Sequence, residues 1–370
     1  MQTTPPHRAS GGAKLVKLGI VGLGRCARLL ARAAAKSDKL KIIAAHSRSE
    51  QKRRSFQVET RVPVVSDLKT LLSYPMIDGL IITTPPDQHL PVAAEGAKAK
   101  KHIYIETPVA ATLEQGLEIA ALEQKYGITV TVGCSARFMA GIHKIREVID
   151  AGELGAVGLI EANFSRPCNP GAIRGDRQVS NSATFDLFSS YAIQQFDVLH
   201  YLGGEIVEAS AMAVKLALTE PGLHDQFTTL LKFADGKLAY VGSSSTSPGV
   251  FAVRVFGSKA LMHYEADLDT WDTPEKLNET SMLYIQRAKD AYGKRELLSI
   301  SESNMFRSEL EFFAEACRTG KCGELSAANA NLALATAHAA LRSLDNRNQS
   351  IRIADVLRLA QSRTREFVRT

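Results

Sequence analysis

A stretch near the N-terminus, from Leu18 to Arg48, has the pattern of one strand–helix–strand unit. It opens with a short apolar run that ends in glycine, which is typical of a buried parallel strand. Gly22, Gly24 and Ala27 follow in the spacing G-x-G-x-x-A, which suits a tight turn, a close approach of backbone to pyrophosphate and a helix packed against the strand. The stretch therefore predicts a dinucleotide-binding fold whose first helix offers free N–H groups to phosphate. A glycine turn that only packs a helix on a strand is the alternative.

The rest of the chain predicts two kinds of architecture in succession. Apolar runs alternate with helical segments over about 120 residues, which predicts a doubly wound parallel sheet. After Cys134, longer strands joined by hairpins predict an antiparallel sheet. The predicted fold class is α/β, an N-terminal Rossmann domain plus a C-terminal α+β domain with a large, mostly antiparallel sheet. The predicted divisions are a disordered tail (1–15), the Rossmann domain (16–134), the α+β substrate and oligomerisation domain (135–350) and a C-terminal helix (351–370).

Composition and charge narrow the classes of partner. Hydrophobic residues make up 45% and charged residues 23% of the chain, as in ordinary soluble globular proteins. The net charge of +6 is scattered among acids, and no apolar run reaches membrane-spanning length, so neither nucleic acid nor a membrane is an expected partner. Five scattered cysteines without a C-x-x-C pair indicate reduced thiols in a cytoplasmic protein, with no disulfide framework and no metal site.

The end of the predicted second strand bears on the choice of cofactor. In dinucleotide folds an acidic residue at this place binds the adenosine ribose hydroxyls. This chain has His46, Ser47 and Arg48 there instead. Ser47 and Arg48 suit a 2′-phosphate, which favours NADP(H), with NAD(H) as the alternative. The alternative is that Arg48 is a surface residue at the start of a helix.

Further cofactor-binding residues are predicted at the ends of the later strands. Thr84, Pro85 and His89 follow a buried strand and are placed to line the cleft, although His89 could equally be a helix-start residue satisfied by backbone. The complete predicted cofactor site consists of Gly22, Gly24, Arg25, Cys26, Ser47, Arg48, Thr84, Pro85, His89, Glu106, Thr107 and Arg137.

Five segments, in the order in which they occur, resemble those of one family. GIVGLGRCA is similar to the family's opening fingerprint, ITTPPDQH to its T-P-x-x-x-H segment and AKKHIYIETPVA to its A-G-K-H-V-x-x-E-K-P-x-A segment. The run from VGCSARF to EANF resembles its crossover into a second domain, and FFAEACRTGKCGELSAANANLALATAHAALRS its closing helix pair. Over roughly residues 17–350 the chain thus resembles the Gfo/Idh/MocA oxidoreductases. The resemblance implies NAD(P)-dependent dehydrogenase or reductase activity on CH–OH groups.

The chain departs from this family at the catalytic positions. The family's E-K-P lysine falls on Thr107, and its catalytic Asp and His fall on Ser190 and Gln194, whereas Asp197 and Gly204 keep the framework of the signature. In the family the lysine and histidine transfer a proton and hold the reacting hydroxyl beside the nicotinamide. The side chains of Thr107, Ser190 and Gln194 do not titrate near neutral pH, so here they orient a substrate by hydrogen bonds.

Tyr191, next to the altered position, is the titratable candidate for proton transfer. It could donate a proton if a nearby cation lowered its pKa, or it could simply pack between helix and sheet. The predicted catalytic residues are Tyr191, Thr107 and Gln194. The loop before this helix carries three arginines that fit an anionic group, or that are solvated and paired with Asp176. The predicted substrate site consists of Arg166, Arg177, Ser190, Tyr191 and Gln194.

These observations favour an NADP(H)-preferring oxidoreductase that acts on a hydroxyl or carbonyl group of a sugar, cyclitol or carboxylated dihydrodiol with atypical catalytic residues. A catalytically silent regulatory protein that binds the dinucleotide is one alternative, and a non-redox lyase or hydrolase with bound NAD(P) is another. The expected partners are a small-molecule substrate and a second copy of the chain, in a homodimer or homotetramer formed through the open face of the C-terminal sheet.

Overall fold

The computed structural model describes residues 14–167, 183–216, 224–288 and 293–369. The predicted disordered tail lies almost entirely outside these ranges. Within them, no helix combines the length and the apolarity that are needed to cross a membrane.

The N-terminal sheet has six strands, all parallel to their neighbours, in the order β3-β2-β1-β4-β5-β6. Ligands of such sheets bind beyond the carboxyl ends of the strands, where the strand order reverses between β1 and β4. The strands are β1 (Val16–Val21), β2 (Leu40–His46), β3 (Val64–Val65), β4 (Gly79–Ile82), β5 (His102–Glu106) and β6 (Val130–Gly133).

The helices that connect these strands mostly begin with a side-chain cap. Ser49, Asp67 and Thr112 each accept a hydrogen bond from a backbone N–H in the first turn of the second, third and fifth helices. The first helix differs because Gly24 stands at its N-cap position and supplies no side chain. These helices are α1 (Arg25–Ala34), α2 (Glu50–Thr60), α3 (Leu68–Leu72), α4 (His89–Lys98) and α5 (Leu113–Tyr126).

The second sheet has nine strands, in the order β14-β13-β12-β11-β7-β10-β9-β8-β15. All neighbouring pairs are antiparallel except β7 and β10. The predicted fold class is therefore confirmed. The strands are β7 (Val157–Ser165), β8 (Ile206–Val214), β9 (Gln226–Phe233), β10 (Leu238–Ser244), β11 (Val250–Gly257), β12 (Ala260–Ala266), β13 (Met282–Arg287), β14 (Arg295–Leu297) and β15 (Ile351–Arg352).

The described part of the chain contains six further α-helices. They are α6 (Ala140–Asp150), α7 (Ala183–Gly203), α8 (Pro274–Thr280), α9 (Met305–Thr319), α10 (Ala327–Asp345) and α11 (Ile353–Arg369). Helix α7 packs on β7 and β10, and α10 packs on α7 and β8. Helix α9 returns to the first sheet and packs against α1, β1 and β6, while α10 and α11 pack against α5. Helices from the C-terminal part of the chain therefore pack onto the first sheet and its helices.

Candidate functional site

The N-terminus of α1 lies at the carboxyl end of β1 and is open. Gly22 has φ +92°, and a Cβ at this residue would lie 2.7 Å from the backbone nitrogen of Thr84, so only glycine fits the turn. A Cβ at Gly24 would instead meet no atom within 4 Å. The first turn of α1 has neither a side-chain cap nor an acidic residue. Its free N–H groups thus face an open space that fits the pyrophosphate of a dinucleotide.

The segment after β2 is polar and basic. Ser47 is partly buried and Arg48 is exposed. The guanidinium of Arg53, on α2, donates hydrogen bonds to the carbonyl oxygens of Ser47 (2.5 Å) and Arg48 (3.1 Å) and so holds the turn in place. His46 contacts the carbonyl of Val65 through Nδ1 at 3.2 Å. The turn therefore presents a hydroxyl and a cation, without a carboxylate, where the adenosine ribose of a dinucleotide would lie.

His89 occupies an internal position below the cleft. Its side chain is 1% exposed, and its two ring nitrogens lie 2.8 Å from the carbonyl oxygen of Thr84 and 3.2 Å from that of Val109. Burial lowers the pKa of His89 despite these contacts. The His89 ring thus connects the backbone of the Thr84 loop to the backbone of the loop after β5. This is the alternative interpretation of His89, in which backbone groups satisfy a histidine at the start of a helix. The side-chain oxygen of Thr84 is buried without a hydrogen-bond partner, so it remains available to a ligand.

A group of titratable side chains lies at the carboxyl end of β5. Glu106 is partly buried and accepts a hydrogen bond from the Tyr104 hydroxyl at 3.5 Å. It also hydrogen-bonds with the Cys26 thiol of α1. Burial raises the pKa of Glu106 to about 7. The next residue, Thr107, is partly buried and precedes a cis peptide bond to Pro108.

Two predicted cofactor-binding arginines make ion pairs with other parts of the protein. Arg25 binds Asp272 through Nε at 2.8 Å and Nη2 at 2.5 Å. Arg137 is 5% exposed and forms a bidentate pair with Asp197. Burial alone would lower the pKa of Arg137, but Asp197 outweighs it, and the pKa is raised. Arg137 is thus held inside the protein, whereas the more exposed Arg25 lies at the N-terminus of α1, where the phosphates of a dinucleotide would bind.

The predicted catalytic and substrate residues are only partly described. Ser190 and Tyr191 lie on α7, but their side chains fall outside the described residues, as does Arg177 altogether. Gln194 is partly buried, and its Oε1 has no hydrogen-bond partner. The neighbouring Gln195 is fully buried with both amide atoms unpartnered. Arg166 follows β7, and its backbone N–H donates to the carbonyl of Ser244 at 3.0 Å.

The sequence did not predict two acidic residues at this site. Asp272 lies between β12 and β13 and Glu309 lies on α9, whereas their partners Arg25 and Ser135 belong to the N-terminal half. The separation of Ser135 and Glu309 is 174 residues, so no local pattern relates them. Among the described residues, no cluster of His, Cys, Asp and Glu is arranged to hold a metal ion.

The sequence matches two models of known families. The model of an oxidoreductase family with an NAD-binding Rossmann fold, GFO_IDH_MocA, matches residues 16–134, and that of the GFO/IDH/MocA C-terminal domain matches residues 142–263. The uncharacterized oxidoreductase YrbE of Bacillus subtilis is 29% identical over 306 residues, which cover 78% of this chain and 86% of YrbE. Myo-inositol 2-dehydrogenase of Thermotoga maritima is 23% identical over 353 residues, 92% of this chain and 100% of that enzyme.

One solved structure is similar over nearly the whole chain. It is a protein from Desulfitobacterium hafniense described as an NADPH-dependent oxidoreductase. The sequences are 29% identical, the TM-score is 0.85, and the match covers 93% of this chain and 99% of the other.

Proposed function

Because the chain belongs to the Gfo/Idh/MocA oxidoreductase family, we propose that it is an NADP(H)-preferring oxidoreductase that acts on a hydroxyl or carbonyl group of a sugar, cyclitol or carboxylated dihydrodiol. The observation that carries this proposal is the open, uncapped N-terminus of α1 beside a β2 turn that offers Ser47 and Arg48 but no acid. A 2′-phosphate would bind the Arg48 guanidinium and the Ser47 hydroxyl, whereas the carboxylate that selects NAD(H) is missing from this turn.

Some residues of the chain would bind the dinucleotide, and others would orient the reacting group of the substrate. When bound, the nicotinamide group accepts or supplies the hydride. The N–H groups of α1 bind the phosphates, and Thr84 offers its unpartnered side-chain oxygen to the ligand. Gln194 would accept a hydrogen bond from the reacting hydroxyl through its unpartnered Oε1, and Thr107, which follows β5, would hydrogen-bond with the same hydroxyl. Neither side chain titrates near neutral pH, so both act by orientation. The proton that leaves or joins the reacting oxygen is assigned to Tyr191 on α7, the titratable candidate in the sequence.

The substrate class follows from the loop before α7. Arg166 lies directly after β7, and Arg177, which the sequence assigns to the same substrate site, lies outside the described residues. Two guanidinium groups near the substrate would bind a carboxylate in bidentate fashion. This supports an acidic sugar or a carboxylated dihydrodiol rather than a neutral hexose as the substrate.

A homo-oligomer formed through the outer face of the nine-stranded sheet is part of the proposal. Met212, Leu230 and Leu238 are 65%, 61% and 53% exposed on this face. They lie on the adjacent strands β8, β9 and β10, with cross-strand partners that place them on one surface. An apolar patch of this kind on a broad sheet fits a second copy of the same face across a two-fold axis.

The first test is a titration of the purified protein with NADPH and with NADH, followed by protein and cofactor fluorescence. We expect tighter binding of NADPH. Oxidation of NADPH or reduction of NADP⁺ is then measured with a panel of acidic sugars, cyclitols and carboxylated dihydrodiols. Failure to bind either dinucleotide would refute the redox function.

One alternative is a protein that binds the dinucleotide but catalyses no reaction with it. The absence of a titratable side chain at positions 107 and 194 favours a catalytically silent protein that binds the dinucleotide as a sensor. Tight NADPH binding without turnover on the whole panel would support this alternative. Turnover that Gln194→Ala abolishes while NADPH still binds would exclude it.

A further inference from the structure

Two glutamates and a tyrosine meet in the interior between β5, β6 and α9. The Tyr104 hydroxyl lies 3.5 Å from Glu106 Oε2, and the Ser135 hydroxyl donates to Glu309 Oε2 at 2.8 Å. A Cβ built on Gly133 would lie 2.0 Å from the Tyr104 hydroxyl and 2.8 Å from Glu309 Oε1. Glycine at this position therefore lets the hydroxyl and the second carboxyl group approach the same point. The Tyr104 hydroxyl thus hydrogen-bonds with Glu106 and lies next to the carboxyl group of Glu309.

The surroundings of this cluster do not neutralise two negative charges. Tyr104 and Glu309 are fully buried, and Glu309 Oε1 has no hydrogen-bond partner. Two arginines are near, but Arg25 is paired with Asp272 and Arg137 with Asp197. The titratable and charged groups that face the cluster are Arg25 and Cys26 from α1, Cys134 and Arg137 from the segment after β6, and Asp197 from α7.

Two carboxyl groups so close together and so poorly solvated cannot both be ionised. Burial and the proximity of Glu106 raise the pKa of Glu309 well above its ordinary value. Burial raises the pKa of Glu106 to about 7. Glu309 therefore favours its protonated form, and Glu106 is the group of the cluster whose protonation responds to its surroundings near neutral pH.

The position of Glu106 couples this exchange to ligand binding. Its carboxyl group hydrogen-bonds with Cys26, which is the second residue of α1. The N-terminus of α1 is also where the phosphates of a dinucleotide would bind. An anion bound there opposes a negative charge on Glu106, because the Glu106 carboxyl group contacts the first turn of α1 through Cys26.

We propose that Glu106, Tyr104 and Glu309 form a proton-binding site that takes up a proton when the phosphates of the dinucleotide bind at the N-terminus of α1. This inference rests on the proposed function. The proton is held one residue from Thr107, where the family pattern has a lysine that this chain lacks. The cluster thus keeps an exchangeable proton beside the reaction site and compensates the charge of the cofactor.

The proton affinity of Glu106 in the free and in the NADPH-bound protein determines how NADPH affinity depends on pH. The bound anion raises the proton affinity of Glu106, so the complex binds more protons than the free protein from about pH 7 upwards. NADPH affinity is then highest below pH 7 and falls by up to about tenfold per pH unit as the pH rises through this window. Below pH 6 the affinity no longer depends on this site.

Isothermal titration calorimetry with NADPH measures the proton directly. Titrations at pH 7.5 in buffers of low and high ionisation enthalpy give the number of protons taken up per NADPH. The 2′-phosphate of NADPH itself titrates below neutral pH, so the readout is the difference between variants. We expect wild type to exceed Glu106→Gln by about half a proton or more. Glu95→Gln, which removes an exposed carboxylate paired with Lys98, is the matched control and should equal wild type.

A second variant keeps the test decisive if Glu106→Gln folds poorly. Tyr104→Phe retains the aromatic ring against Phe313 and removes only the hydroxyl that stabilises the ionised carboxyl groups. Its proton uptake should shift to higher pH. Equal proton uptake in wild type and in both variants would overturn the proposed proton site while leaving NADPH binding intact. Absence of NADPH binding by the wild type would instead refute the proposed function.

Discussion

Gly22 and Gly24 lie two residues apart, and the structure gives them different roles. Gly22 is required by the backbone, because its φ is +92° and its α-hydrogen faces the Thr84 nitrogen. Gly24 has an ordinary φ of −86° and open space where a side chain would project. Substitutions at the two glycines therefore separate folding from binding.

We expect Gly24→Asp to abolish dinucleotide binding without destabilising the protein. An aspartate at this N-cap position would satisfy the free N–H groups of α1 and stabilise the helix by about 0.5–1 kcal/mol, while its charge would oppose the pyrophosphate. Gly22→Ala should lower the free energy of unfolding by about 1–3 kcal/mol or prevent folding. Urea denaturation and NADPH titration measure both effects. Unchanged NADPH affinity in Gly24→Asp would contradict the assignment of the phosphate site.

Arg48 supplies the charge that we expect to distinguish NADPH from NADH. Arg48→Ala should weaken NADPH binding by about 10- to 100-fold, since a hydrogen bond to a charged group contributes about 1.5–3 kcal/mol, and should leave NADH binding nearly unchanged. Arg54→Ala removes an exposed arginine of the same region that pairs with Glu50, and it serves as the control. Equal losses of affinity for both dinucleotides would assign Arg48 a general electrostatic role.

At the scale of elements, the sequence predicted the strands and helices whose own residues carry a clear periodic or turn pattern. The alternation of apolar runs and helical segments predicted the parallel sheet, and the hairpin pattern after Cys134 predicted the antiparallel sheet. Strands β12, β13 and β14 were not predicted, because their pairing partners are set by the sheet and their sequences mix apolar, aromatic and charged residues. The cofactor turn could be predicted from glycine spacing, whereas Glu309 and Asp272 reach the site from distant elements and leave no local signature.

The contact between the segment after β6 and α7 depends on one buried ion pair. Arg137 and Asp197 are 5% and 7% exposed, and the Arg137 guanidinium also lies 5.3 Å from the ring centre of Tyr201. Arg137→Ala leaves Asp197 buried without its partner and should lower the free energy of unfolding by about 3–5 kcal/mol. Arg358→Ala removes an exposed pair with Asp355 and should change it by less than about 1 kcal/mol. Denaturant unfolding followed by circular dichroism compares the two variants.

Two histidines on packed helices predict an acid limit to stability. Burial lowers the pKa values of His200 on α7 and His338 on α10 to about 4. The unfolded chain binds these protons near pH 6.5, so stability is complete above that pH and is lost as the pH falls towards 4, by about 3 kcal/mol for each histidine. His200→Gln should reduce the loss of unfolding free energy between pH 7 and pH 4. An identical pH dependence in wild type and variant would contradict this prediction.

At the scale of the whole molecule, the outer face of the second sheet carries polar side chains that bind one another, and beside them apolar side chains. Arg254 binds Glu161 at 3.0 Å and donates to His263 Nδ1 at 3.2 Å, and His263 in turn contacts Glu265 at 3.2 Å. Because these groups already have partners within the face, little polar interaction is lost when the face is covered. The apolar residues of β8, β9 and β10 then supply the gain from burial.

Leu230 is the residue through which this face can be tested. It is 61% exposed and lies opposite Ser210 on β8 and Tyr240 on β10. A charge at this position would therefore lie among the apolar residues of β8, β9 and β10. We expect wild type to sediment as a dimer or tetramer and Leu230→Asp to sediment as a folded monomer. Val58→Asp, at an 83% exposed position on α2 away from this sheet, should keep the wild-type assembly. Analytical ultracentrifugation gives the masses, and circular dichroism shows whether each variant is folded. A wild type that stays monomeric at micromolar concentrations would exclude the interface, and the apolar residues of the face would then need another partner.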